Sequence, residues 1–367
     1  MFKISLCMIV KDEEDTLDKV LKSAELFVDE IIIVDTGSTD TTKEIAYKYT
    51  DKVYDFKWTN NFAAARNFAY SKATMDYQMW LDADDFVPKG EGEKILELKR
   101  TLPPDIDMVT MKYHTHFDEN KNPTLTSTRE RLTKTVKNYK WIEPVHECIP
   151  LGGNIYHSDI AIWHEKPKRD EISTRNLDIY TMMENDNIEL SPRAQYYFAR
   201  ELKDHKNYKR AIYYFDKFLK SNKGWLEDNI AACHSLALCY KALLNEDRQE
   251  NAKYHDKILS ILLESFKYAT PRAEICCEIG YYFKDIGYYS LAIDWFLLAT
   301  KIECEGSIGF VLADYKGYVP NIESSVCYSY LGDYEKAKEF NEKAAKFKPD
   351  SYAVKHNRKF FSEMESN

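Results

Sequence analysis

Short apolar runs alternate with amphipathic stretches over the first half of the chain. Residues 4–10 read as a buried strand, and 15–27 carry Leu17, Val20, Leu21 and Ala24 at helical spacing. The β-branched run 30–34 is a second strand, followed by a helix over 39–49. Residues 53–56 form a third strand, 61–71 a helix and 77–81 a fourth strand, with later strands at 108–114 and 155–163. This order predicts an α/β fold, Rossmann-like, with a mostly parallel sheet flanked by helices. Ligands then bind at the carboxyl ends of the strands.

In the second half the pattern changes. Ala211, Ala292 and Ala337 each sit in a segment that follows a helix, a polar corner and Asn207, Gly287 or Asp333. Small residues let paired helices approach, and a nearby tyrosine (Tyr208, Tyr288, Tyr334) is expected to fill the gap between pairs. The spacing is uneven and leaves room for a divergent pair around 229–268. These features resemble the tetratricopeptide helix-pair repeat and predict an all-α helical-repeat domain. The expected division is a catalytic domain over 1–166, a linker with a connecting helix over 167–192, and the repeats over 193–367.

Composition narrows the class of function. The 367 residues are 44% apolar and 30% charged, as in a folded protein, and the net charge of −9 excludes a general nucleic-acid binder. The eight cysteines (Cys7, Cys148, Cys233, Cys239, Cys276, Cys277, Cys304, Cys327) show no CxxC spacing, which points to reduced thiols rather than a disulfide framework or zinc site. No signal-peptide pattern opens the chain and no run reaches the ~20 apolar residues of a transmembrane helix. The cytoplasm is the expected location.

Chemistry concentrates at predicted strand ends. Trp80-Leu-Asp82-Ala-Asp84-Asp85 closes the fourth strand, and strand alternation would turn Asp82 and Asp84 to one side. Carboxylates gathered this way favour a hard divalent cation, Mn²⁺ or Mg²⁺, although Asp85 could instead cap a following turn. Asp35 in Asp-Thr-Gly-Ser-Thr-Asp40 could accept a hydrogen bond from a nucleobase or ribose, or serve with Ser38 and Thr39 in capping; Asp40 is expected only to cap. Lys11 and Glu13 fall at the same rim after the first strand. Arg66 in Phe62-Ala-Ala-Ala-Arg-Asn67 offers a guanidinium for diphosphate oxygens.

Together, Ser5–Glu14, Val28–Asp40, Asn61–Asn67 and Trp80–Asp85 resemble, in order and spacing, the family 2 glycosyltransferases of GT-A fold. The trailing helices extend the likeness to a subgroup that includes peptide S- and O-glycosyltransferases of the sublancin type. The resemblance implies a nucleoside pocket lined by Ile9, Val10, Lys11 and Glu13, with Asp35 reading the base. Arg66, Asn67, Leu81, Asp82 and Trp141 complete the expected donor site, and Asp82 and Asp84 form a DxD metal motif. His164 falls where some GT-A enzymes place a further metal ligand. Inversion by single displacement needs a base near the acceptor, for which Glu147 is the first candidate and Asp85 the second, with His146 orienting Glu147 or binding sugar. Trp141 and Trp163 could stack on sugars or belong to the core. Asp12, where the subgroup commonly has Asn, and Glu143-Pro144, where Gly is frequent, depart from its pattern. The expected reaction moves a sugar from a UDP-sugar to a peptide or protein side chain, with a homodimer through the repeats as a possible assembly. The alternatives are a cell-surface glycan or lipid-linked acceptor, and a non-catalytic scaffold with a degenerate transferase domain.

Overall fold

The computed structural model describes residues 1–117, 121–164, 173–247, 249, 252–302 and 311–365. The chain divides into two compact units, Met1–Ile188 and Glu189–Asn367. Of the expected linker, 167–172 lie outside the described residues, as does Cys304.

In the first unit, strands β1 (Ile4–Val10), β2 (Glu30–Asp35), β3 (Val53–Asp55) and β4 (Tyr77–Trp80) alternate with helices α1 (Leu17–Ala24), α2 (Thr42–Ala46) and α3 (Phe62–Tyr70). Then come β5 (Asp85–Phe86), α4 (Lys89–Thr101), β6 (Met108–Phe117), β7 (Pro123–Lys134), β8 (Ile155–His164) and α5 (Arg175–Asn185). The sheet order is β3-β2-β1-β4-β7-β6-β8-β5. The first four strands are parallel neighbours, as the alternation predicts. Beyond β4 the sheet is mixed: β7 runs antiparallel to β4 and β6, β8 runs parallel to β6, and β5 antiparallel to β8.

Burial explains the run of apolar residues in β1, whose two faces are both covered. On one face Leu6, Met8 and Ile33 join Val20 and Leu21 of α1 and Ile95 of α4. On the other, Cys7, Ile32 and Val34 meet Ala63 and Ala69 of α3, with Trp80 and Trp141. The Asn61 side chain starts α3 by accepting from the Ala64 N–H at 2.9 Å. The helix expected over 39–49 shrinks to the five residues of α2, because Asp35 and Asp40 hold the preceding segment in turns.

The register aligns Val10 with Asp35 and Cys7 with Trp80, so the carboxyl ends of β2, β1 and β4 lie side by side. At ~4.8 Å per strand, Asp35 and the acidic run after Trp80 stand about 10 Å apart on one rim.

The second unit contains helices α6 (Pro192–Asp204), α7 (Tyr208–Ser221), α8 (Leu226–Glu246), α9 (His255–Glu264), α10 (Ala273–Asp285), α11 (Tyr289–Ala299), α12 (Tyr318–Tyr330), α13 (Tyr334–Ala345) and α14 (Tyr352–Glu365). Neighbours pack in pairs, with Ala211, Ala292 and Ala337 fully buried. The corners of three pairs use a left-handed residue: Lys206, Gly287 and Gly332, at φ 61°, 81° and 79°. A Cβ on Gly280 would lie 2.6 Å from the Phe296 ring, so glycine there sets the approach of α10 to α11. Of the tyrosines expected to fill the gap between pairs, Tyr288 is exposed, Tyr208 is half-buried and Tyr334 packs toward Phe360 of α14 with ring centroids 6.4 Å apart; Phe215, Phe218 and Phe296 occupy the interior. The described cysteines are free thiols, all buried except half-buried Cys148.

Candidate active site

Strand β4 stops at Trp80, so strand alternation does not orient Asp82 and Asp84 as expected. They lie instead in a turn closed by the Asp85 N–H donating to the Asp82 carbonyl at 3.0 Å. The turn still gathers the acids. Pairing of Asp85 with His164 across β5 and β8 brings the imidazole in, and one ligand atom each of Asp82, Asp84, Asp85 and His164 lies within 4.8 Å of the others.

These acids have different environments. Burial would raise the Asp82 pKa, but the charge and hydrogen bond of Arg66, backed by Arg131 and His164, hold it well below the usual carboxylate range. Burial, with the charges of Asp82, Asp85 and Glu13, pushes Asp84 up to about 6 against the opposing pull of His164. Burial disfavours the His164 imidazolium, yet the hydrogen bond to Asp85 and the charges of Asp84, Asp85 and Asp82 raise its pKa. A divalent cation suits this donor set, because it would offset the burial and the neighbouring negative charges that make Asp84 hard to ionise.

Asp85 is fully buried. Its Oδ2 accepts from Arg131 Nη1 and from the Asp82 N–H, both at 3.0 Å, and its Oδ1 accepts from the Tyr113 hydroxyl at 2.8 Å and lies 3.0 Å from His164 Nδ1. With its lone pairs committed and no route to solvent, it is poorly placed as an acceptor base. Among the groups this carboxylate serves are proposed ligands.

Arg66 reaches carboxylates rather than standing free for a diphosphate. Its Nη2 donates to Asp82 and its Nε to Glu147, each at 2.6 Å, while the Trp80 and Trp141 rings lie 5.1 and 4.8 Å away. One buried guanidinium therefore ties the acidic turn to Glu147. A separate loop presents Glu147: reciprocal Ile142–Cys148 backbone bonds pinch its base, and the Pro144 carbonyl accepts from the Phe62 N–H at 2.8 Å. Within it Glu143 and His146 adopt φ values of 70° and 53°, a region costly for non-glycine residues. Glycine is frequent near Glu143 in the subgroup, and the backbone here keeps a glycine-like path. The His146 ring stacks toward Tyr180 of α5, with centroids 6.5 Å apart.

Three expected donor-site residues have core or scaffold surroundings. Leu81 and Trp141 are buried, and the Trp141 ring packs edge-on against Tyr70 and Trp80. Asn67 brackets the Trp141 backbone, donating to its carbonyl at 2.9 Å and accepting from its N–H at 3.0 Å. Trp163 packs against Phe117.

At the nucleoside end of the rim, Asp35 Oδ1 accepts from the Gly37 and Ser38 N–H groups at 2.8 and 2.9 Å, closing the turn after β2. Carboxylate oxygens have further lone pairs, so this does not exhaust Asp35 as an acceptor. Asp12 adopts φ 52°, and its Oδ1 accepts from the Thr39 N–H at 2.7 Å. That bond needs only an acceptor oxygen, so Asp serves where Asn is common. Glu13 begins α1 through its carbonyl, and its carboxylate accepts from Thr16 Oγ1 at 2.7 Å. Ile9 is half-buried, Val10 buried and Lys11 exposed beside it.

Residues 5–157 match the family Glycosyl transferase family 2. This segment is a family 2 glycosyltransferase domain. A TPR repeat-containing protein of Synechococcus elongatus is 35% identical over 151 residues, covering 41% of this chain and 36% of its own. The glycosyltransferase SunS of Bacillus subtilis is 28% identical over 215 residues, 54% of this chain and 49% of its own. A cholesterol galactosyltransferase of Borreliella burgdorferi is 30% identical over 123 residues, 32% of this chain and 34% of its own. The chain thus spans between about a third and a half of the length of these curated relatives. Among solved structures, a thermophilic TPR protein of Thermus thermophilus overlaps 51% of this chain and 87% of its own at 17% identity and TM-score 0.37, too low to bear on function.

Sequence reasoning missed part of the transferase domain's inner wall. Strand β7 carries Arg129, Glu130 and Arg131, the last two buried. Trp80 lies among three guanidinium groups, with Arg129 and Arg131 at 4.9 and 3.6 Å. The available signal was charged residues inside a stretch of β-formers, which ordinarily marks a solvated strand face.

Proposed function

We propose that the chain is an inverting, divalent-metal-dependent glycosyltransferase that moves a sugar from a UDP-sugar to a peptide or protein side chain. The observation that carries this reading is the convergence of Asp82, Asp84 and His164 beside Glu147, with Arg66 bonded to both sides. Asp82, Asp84 and His164 would hold Mn²⁺ or Mg²⁺, which supplies charge stabilisation to a departing diphosphate. Asp35, Glu13, Lys11 and the backbone after β1 would receive the nucleoside, about two strand spacings along the rim. Glu147 is the proposed base, linked to the ligand Asp82 through the Arg66 guanidinium, which bonds to both.

The polypeptide acceptor rests on the layout of a transferase domain followed by helical pairs, which resembles the sublancin-type enzymes. Self-association through the helical unit belongs to the same reading. No helix among the described residues is long and apolar enough to cross a membrane, and a lipid-linked acceptor is the competing outcome. The test is incubation with a panel of UDP-sugars and Mn²⁺, with and without chelator, followed by mass spectrometry of candidate peptides. Metal-dependent release of UDP and a hexose-sized mass gain on a peptide support the reading. Absence of nucleotide binding and of hydrolysis with every donor favours a scaffold instead.

A further inference from the structure

We propose that Arg131 is a positioning residue of the metal site, acting through Asp85. The proposal rests on the reading of Asp82, Asp84 and His164 as metal ligands. Arg131 sits on β7 with a fully buried side chain. A desolvated guanidinium is costly, and its position needs a reason beyond packing. Its Nη1 donates at 3.0 Å both to Asp85 Oδ2 and to the carbonyl of Trp80, the last residue of β4. The group also lies against the rings of Trp80 at 3.6 Å and Tyr113 at 4.3 Å. Its Nε and Nη2 find no hydrogen-bond partner among the described residues. Hydrogen-bond satisfaction therefore does not account for the placement; the charge is aimed at Asp85 and at the point where the acidic turn leaves the sheet.

Asp85 passes that placement on. Its two oxygens fix the Asp82 backbone N–H and lie against His164 Nδ1, so one carboxylate sets the position of two proposed ligands. The Tyr113 hydroxyl holds the same carboxylate from a third side. Partners of this kind, one bond removed from a metal, orient its ligands, and their loss weakens binding by about 10–100-fold. Without Arg131, Asp85 is a buried carboxylate lacking its counter-charge, and Asp82 and His164 lose their common anchor.

The experiment is Mn²⁺ titration of the full chain, followed by the loss of the free-ion paramagnetic resonance signal, with thermal melting recorded alongside. Arg131→Met and Asp85→Asn should each weaken Mn²⁺ binding by about tenfold or more, and the double variant should bind no worse than the weaker single. Arg131→Lys keeps a charge, but its side chain is shorter and lacks the guanidinium plane that lies against Trp80 and Tyr113, and it should fall between wild type and Arg131→Met. A folded Arg131→Met with wild-type affinity, or effects that multiply in the double variant, overturns the proposal. Should Arg131→Met fail to fold, the Lys and Asn variants decide: wild-type affinity in Asp85→Asn overturns it, weakened affinity in both supports it. Absence of Mn²⁺ binding by the wild type overturns the metal-site reading itself and the role of Arg131 with it.

Discussion

Replacing Arg66 with Met leaves the site's shape nearly intact while removing the one charge shared by Asp82 and Glu147. Both bonds are 2.6 Å long, and the Arg66 side chain is 9% exposed. Breaking a buried pair by removing one partner costs about 3–5 kcal/mol. The Asp82 side chain is 31% exposed, so water screens its share, whereas Glu147 at 12% has little solvent to fall back on. Arg66→Met should therefore lower stability by about 3 kcal/mol, most of it through Glu147. In a Glu147→Gln background the same substitution should cost less by about 1.5 kcal/mol or more, because the stranded charge is already gone. Urea unfolding followed by tryptophan fluorescence is a suitable assay, since Trp80 and Trp141 flank the guanidinium. Equal costs in the two backgrounds, or a cost below about 0.5 kcal/mol in the wild type, would refute the idea that Arg66 couples the acidic turn to Glu147.

Other perturbations separate function from stability. Asp84→Asn should abolish metal-dependent UDP release yet stabilise the metal-free protein at neutral pH. The folded-state pKa of about 6 exceeds the unfolded one, so protonation favours folding. That contribution is complete below about pH 4 and is lost as pH rises through 6. The melting advantage of Asp84→Asn should thus open between pH 4 and 6 and reach up to about 3 kcal/mol; a pH-independent difference contradicts a carboxyl pushed up by burial and by its acidic neighbours. Glu147→Gln should leave UDP binding near wild type and cut transfer by about 10²-fold or more, and unchanged transfer rules out Glu147 as the base. Gly280→Ala should destabilise the helical unit by about 1–3 kcal/mol through the Phe296 ring, without altering Mn²⁺ affinity; a melt identical to wild type removes the close-approach argument.

Much of the first unit was legible because its elements are local and periodic. The strands β1 and β2 and the helix α3 follow from local apolar patterning, and the acidic turn after Trp80 is a contiguous motif. Partners distant along the chain were not legible. Arg131 and Asp85 are 46 residues apart, and nothing in the spacing links a charge on β7 to a carboxylate after β4. Asn67 matched the donor-site pattern, but its amide is consumed by the Trp141 backbone, 74 residues on. Asp85 stood second among the candidate bases, whereas in the structure Arg131 and Tyr113 hold its carboxylate. In the helical unit, Ala211, Ala292 and Ala337 are buried as expected, but the tyrosines beside them differ: Tyr288 is exposed, Tyr208 half-buried, and Tyr334 packs toward Phe360.

The most direct measurement is anomalous scattering from crystals grown with Mn²⁺ and UDP. The account places one strong peak within about 2.5 Å of carboxylate oxygens of Asp82 or Asp84 and of a His164 ring nitrogen, with the uridine lying toward Asp35. A peak elsewhere, or none while UDP is bound, contradicts it.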